Sequence, residues 1–182
     1  MKTRALLLTV VLLPVLLGLG RADSQWVLEQ STLTYHISHP LHDADGISHS
    51  ARGKGICQAG QCNFLVAVLV NSFNSGNSNR DLHMLQVTRG AQFPLVTVRF
   101  QLPEAALGSA SIRANLRIQF AGQAAKYNQV LFHQGKKGKM IQVSGTIPLK
   151  LSDFKISRPE LLAMPISNDV PVKVDTTWEP GS

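Results

Sequence analysis

A period of two runs through most of this chain. Between Ser111 and Phe120, the residues Ile112, Ala114, Leu116, Ile118 and Phe120 alternate with Ser111, Arg113, Asn115, Arg117 and Gln119. Successive strand side chains point to opposite faces, so this is a strand with one apolar face and one wet face. Val96, Val98, Phe100 and Leu102 form a second such row, and Val170, Val172, Val174, Thr176 and Trp178 a third. Ile141, Val143, Ile147, Leu149 and Leu151 form a fourth, with Gln142, Ser144 and Thr146 opposite. With weaker candidates, the pattern predicts about eight strands, over 32–39, 49–57, 62–72, 93–102, 110–120, 124–133, 139–151 and 169–178. Turn signals separate them at Ala59-Gly60, Gly108-Ser109, Ala121-Gly122-Gln123 and Gly135-Lys136-Lys137-Gly138. An even number of antiparallel strands with short links can close on itself and abolish its edges. The expected class is all-β: an eight-stranded antiparallel up-and-down barrel with one or two short helices.

Strand 62–72 departs from clean alternation, because Phe64-Leu65-Val66-Ala67-Val68-Leu69-Val70 is apolar on both faces. Something should cover its second face, and the nearest candidate is a short helix. That helix should start near Asn77 or Ser78, with Asp81 in its first turn and Leu82, Leu85 and Met84 packing inward. A second helical turn is expected over Ser157-Arg158-Pro159-Glu160-Leu161-Leu162, where Ser precedes a Pro near the first helical position, and Pro165 should stop it.

The first 22 residues read as a cleavable leader. Lys2 and Arg4 precede the apolar run Ala5 to Leu19, and Gly20-Arg21-Ala22 places small residues at a cleavage site. The run is short for a bilayer span. The expected organisation is a signal peptide over 1–22 and one barrel domain over 23–182, exported and soluble in a periplasm. The formal charge is +7, but three of the 18 basic residues, Lys2, Arg4 and Arg21, sit in the leader. The rest are scattered along the sequence rather than gathered in a run, so nucleic acid is a poor partner. Contact with an anionic membrane surface stays open. Cys57 and Cys62 flank the Ala59-Gly60 turn. In an oxidising compartment they should form a disulfide across a hairpin, worth about 2 kcal/mol because the loop is short.

The stretch from Asn71 to Phe100 joins an apolar strand to a polar loop, Asn74-Ser75-Gly76-Asn77-Ser78-Asn79, then to Arg80-Asp81 and a helix, then to Phe93-Pro94 and the next strand. It resembles the YceI-like family. Leu33-Thr34-Tyr35-His36-Ile37-Ser38-His39 is similar to that family's first strand, and Gly53 to the Gly of its second. Ser152-Asp153-Phe154-Lys155-Ile156 is similar to its Ser-Asp-Phe-Gly-Ile step, and Ile166-Ser167-Asn168-Asp169-Val170 to the start of its last strand. Gln119 stands where a later family motif has His, and Lys155 where Gly is usual. The resemblance implies a lipocalin-like barrel that holds a long isoprenoid chain, a polyprenyl or quinone tail, in its lumen. The ligand would be that lipid, with no other cofactor. Some relatives pair, so a homodimer stays open.

The residues expected to line the lumen are Phe64, Val66, Val68, Val96, Val98, Phe100, Leu116, Ile118, Phe120, Ile141 and Val143. Two rivals stand beside the carrier. One is a metal- or redox-linked protein using the His-rich stretch 36–49, with His39, His42 and Asp45 as ligands. The other is a surface interaction module with a solid core. Arg80 and Asp81 are expected to fix the loop over the barrel, and Lys136, Lys137 and Lys139 to sit on a solvated turn. No nucleophile elbow, zincin helix, P-loop or dinucleotide fingerprint occurs, so catalysis is not expected.

Overall fold

A computed structural model describes residues 23–181; the expected signal peptide over 1–22 lies outside them. The strands are β1 (Ser24–Ile37), β2 (Ala44–Ser48), β3 (Arg52–Gln58), β4 (Gln61–Leu69), β5 (Leu95–Pro103), β6 (Ser111–Phe120), β7 (Gln123–Lys137) and β8 (Met140–Lys150). Then come the two-residue strands β9 (Glu160–Leu161) and β10 (Met164–Pro165), and β11 (Asp169–Pro180). One helix, α1 (Ser78–Val87), lies between β4 and β5. The large strands pair antiparallel in the order β11-β8-β7-β6-β5-β4-β3-β1-β2, and β11 also pairs with β1, which closes an eight-strand barrel.

The second stave is split. β2 pairs with Leu33–Ile37 of β1 and β3 with Ser24–Val27. Between them, Ser31 Oγ accepts from Ala51 N at 3.2 Å, while Thr32 Oγ1 and His49 Nδ1 lie 3.1 Å apart. β3 and β4 form the expected hairpin. Cys57 and Cys62 are cross-strand partners joined by a disulfide, and Ala59 and Gly60 both take positive φ. That is the geometry a two-residue turn needs to match the twist of its strands.

Two sequence expectations fail. No helical turn forms at 157–162. Leu162 and Ala163 take positive φ, 52° and 61°, and close a hairpin in which Leu161 pairs with Met164 and Glu160 with Pro165. Tertiary bonds hold this hairpin against the β1–β2 loop: His39 Nε2 donates to Met164 O at 3.0 Å, and Ser167 N to Ser38 O at 2.8 Å. They outweigh a local helix signal carried by one Ser-x-Pro step. Nor does α1 cover the outer face of β4, where Leu65 and Leu69 stay 38% and 44% exposed. Leu82 points to solvent at 56% exposure. The helix instead turns Arg80, Met84 and Val87, spaced by four and three residues, over the barrel's end.

Inside, aromatic rings lie flat over glycines on the facing strand. A Cβ at Gly46 would stand 2.2 Å from the Tyr35 ring, at Gly55 2.3 Å from Phe64, and at Gly145 2.5 Å from Phe132. Each of these pairs is directly cross-strand. Gly53 admits Trp178 in the same way, at 2.7 Å. Bulky rings are thereby held against the wall instead of filling the axis.

Candidate functional site: an apolar lumen with a polar rim

The consequence is a cavity of about 600 Å³ along the barrel axis. All eleven sequence-proposed residues line it: Phe64, Val66 and Val68 from β4, Val96, Val98 and Phe100 from β5, Leu116, Ile118 and Phe120 from β6, and Ile141 and Val143 from β8. The barrel is therefore not solid, which removes the solid core from the interaction-module reading. The β1 and β11 contributions, such as Trp26, Tyr35, Val172 and Trp178, were absent from that set. The alternation of Val170 to Trp178 carried the signal for β11.

Polar lining residues concentrate at one end. His39 and His42 come from the β1–β2 loop, Asn77, Asn79, Arg80 and His83 from the loop and start of α1, and Glu160 from β9. These connections lie at the same end of the barrel, where β4 leads into α1 and β8 into β9. Gln134 and Thr176 face the lumen elsewhere, but their polar atoms are spent on backbone. Gln134 bonds Gly108 N and Ala106 O, and Thr176 Oγ1 donates to Val143 O at 3.3 Å.

The rim is built locally. Asn77 caps α1, its side chain accepting from Arg80 N at 3.1 Å. The Asp81 carboxylate accepts from Ser75 N at 3.1 Å, and Arg80 Nη1 donates to Ser75 O at 3.4 Å. Arg80 and Asp81 thus fix the loop over the barrel, as expected, and leave Arg80 beside the lumen.

Tyr35 sits beneath this rim, 7% exposed, with its ring 5.6 Å from that of Phe73. Its hydroxyl is the one buried side-chain polar atom among the described residues with no hydrogen-bond partner in good geometry. Burial pushes its pKa up, Asp81 adds to the rise, and Arg80 opposes it. The Ser75 side chain, hydrogen-bonding toward the hydroxyl, also opposes the rise, and the phenol stays protonated at neutral pH at the lumen wall.

The His-rich stretch does not assemble a metal site. His39 is buried, and both ring nitrogens are engaged: Nε2 donates to Met164 O, and Nδ1 accepts from Leu41 N at 3.1 Å. Asp45 is drawn off to His36 Nδ1 at 2.7 Å. No group of three His, Cys, Asp or Glu residues with ligating geometry occurs among the described residues. The His39 and His42 rings lie 5.6 Å apart, but Asp45 does not join them, and His39 is spent on pinning the β9–β10 hairpin to the β1–β2 loop.

Three solved structures share this fold. A polyisoprenoid-binding domain from Saccharophagus degradans, implicated in plant cell wall breakdown, superposes with a TM-score of 0.69 at 18% identity, covering 86% of this chain and 98% of that one. BcnA of Burkholderia cenocepacia gives 0.68 at 14% identity, covering 81% and 95%. The YCEI protein of Campylobacter jejuni gives 0.52 at 18% identity, covering 66% and 72%. No curated protein matches the chain. A model of the YceI-like domain matches residues 26–178, nearly all of the described barrel, and on that match the chain belongs to the YceI-like family.

Proposed function

We propose that this protein is an exported carrier of an amphipathic isoprenoid lipid, a polyprenyl or quinone tail lying in the lumen and its polar head at the α1 end. The observation that carries the reading is the cavity of about 600 Å³, apolar along its length and polar at one rim. Transfer of a hydrocarbon chain from water into such a space gains about 0.8 kcal/mol per methylene. The polyisoprenoid-binding relative from S. degradans supports the cargo class. The leader-like residues 1–22 support export to a periplasm. Selectivity falls to the rim, where Arg80 offers charge and Tyr35 a buried hydroxyl. The protein performs no chemistry on its cargo, and the lipid is its only ligand.

Native mass spectrometry of the purified protein, followed by denaturation and identification of what is released, tests this reading. A stoichiometric isoprenoid is expected. Leu116→Trp places a large ring in the lumen and should abolish the bound mass while the barrel stays folded. Tyr35→Phe should keep the fold and weaken retention about 5- to 10-fold, the effect of one neutral hydrogen bond. Uptake by Leu116→Trp equal to that of the parent would sink the lumen assignment.

A further inference from the structure

The barrel's outer surface is divided by charge in a way its sequence hides. Strands β3 to β8 contain no Asp or Glu at all; the strand acids, Glu29, Asp45, Glu160, Asp169, Asp175 and Glu179, fall on β1, β2, β9 and β11. The register then gathers basic residues that are far apart in the chain. Lys54 pairs with Leu65, Leu65 with Arg99, Arg99 with Arg117, and Arg117 with Lys126. This single row crosses five neighbouring strands, so it spans about 20 Å. All four basic side chains are exposed, and among the described residues none makes an ion pair. The basis for dismissing a basic stripe, scatter along the sequence, does not survive folding.

Barrel stability does not account for the row. Arg99 directly opposite Arg117 is a like-charge cross-strand pair, which costs stability. Exposed leucines share this wall: Leu65 sits within the row, and the paired Leu69 and Leu95 lie two outward positions along their strands, beyond Ala67 and Thr97, 38–46% accessible. Basic side chains interleaved with aliphatic ones on a broad convex wall match an anionic lipid surface. The headgroups meet the cations, and the leucines reach the interface.

We infer that the β3–β7 wall, centred on Arg99 and Arg117, docks the protein on anionic membranes. The inference goes beyond cargo binding and gains its purpose from it, since an isoprenoid must be collected from a bilayer.

Sedimentation with vesicles of phosphatidylcholine, with and without about one-third phosphatidylglycerol, tests it. Binding is expected only to the anionic vesicles and should fall steeply with salt. The double substitution Arg99→Gln/Arg117→Gln should lower partitioning about 30-fold. The charge-matched control Lys150→Gln/Lys173→Gln, at cations already paired with Asp169 and Asp175 of β11, should lower it less than threefold. Equal loss in both pairs would overturn the inference, and so would no preference for anionic vesicles. Binding to polyglutamate or duplex DNA at least as tight as to vesicles would overturn it in favour of another partner. Released lipid is measured on the same samples. Docking lost with cargo retained supports the assigned face independently of the lumen. Docking by a protein that never holds lipid supports the face and refutes the carrier.

Discussion

Gly55→Ala isolates the device that keeps the lumen open. The new Cβ would stand 2.3 Å from Phe64 Cε1, while an ordinary carbon contact is about 3.5–4.0 Å. The ring must therefore move by more than about 1 Å. It is stacked on Phe100 at 4.9 Å and meets Trp178 edge-on at 5.3 Å, so sideways escape is blocked and the way left is toward the barrel axis. Overpacking of this kind costs about 1–3 kcal/mol. Against it stands a gain of about 0.5–1 kcal/mol for replacing Gly by Ala inside a strand. The net expectation is a loss of about 1–2 kcal/mol, or a Tm drop of about 2–8 °C for a chain of this size. Bound lipid should fall with it. In a Phe64→Leu background the obstructing ring is gone, and the same Gly55→Ala change should become neutral or stabilising. Thermal melts of the four proteins, with released lipid measured on each, complete the cycle. A Gly55→Ala protein that melts higher than its parent and carries full cargo would refute the reasoning, as would equal costs in both backgrounds.

Phe154 is fully buried and packs its ring 5.4 Å from that of Phe120. Phe154→Ala should cost about 3–5 kcal/mol, and an unchanged urea midpoint would contradict its place in the core. Tyr127 donates to Asp153 Oδ2 at 2.6 Å, and burial followed by that bond holds its pKa well above the ordinary 10. Because the folded value is the higher one, its contribution is complete below pH 10 and is lost as pH rises through the folded pKa. Tyr127→Phe should therefore be less stable than the parent at neutral pH, and the gap between their melting curves should close in strong alkali; a gap constant across that range would count against it.

The legible parts of this fold were those where alternation runs unbroken. β6 and β11 showed their inward rows directly, and with them part of the lumen. β1 was read from residue 32 although it starts at Ser24, because Glu29 is an extra residue between the pairs Leu28–Trp178 and Gln30–Thr177. That bulge shifts the inward row from Trp26 and Leu28 to Ser31 and Leu33, and a period-two reading breaks there. The same fault blurs β7. Gln129, at φ 56°, moves the inward row from Tyr127 to Val130, and Asn115 Oδ1 accepts from its backbone N at 2.9 Å. The 160–165 hairpin was illegible because its turn uses Leu162 and Ala163, where Gly or Asn would have given the signal. The expected Gly at position 155 had a physical basis, since Lys155 takes φ 53°. Register itself has no one-dimensional trace, so a cationic row assembled from positions 54, 99, 117 and 126 could be seen only once the strands were paired.

The split second stave has a kinetic meaning. Around the barrel's waist every strand is zipped to both neighbours. At the α1 end, however, β2 meets the β4–α1 connection through one isolated bridge, Ile47 with Asn74, and the Ser48–Ser72 hydroxyl pair at 2.7 Å. Parting this seam breaks two backbone hydrogen bonds and one side-chain contact, whereas parting any other junction unzips a ladder. It belongs to the low-free-energy end of the molecule's opening spectrum. On the carrier reading proposed above, a guest should therefore exchange through a local opening of this seam while the rest of the cylinder stays shut.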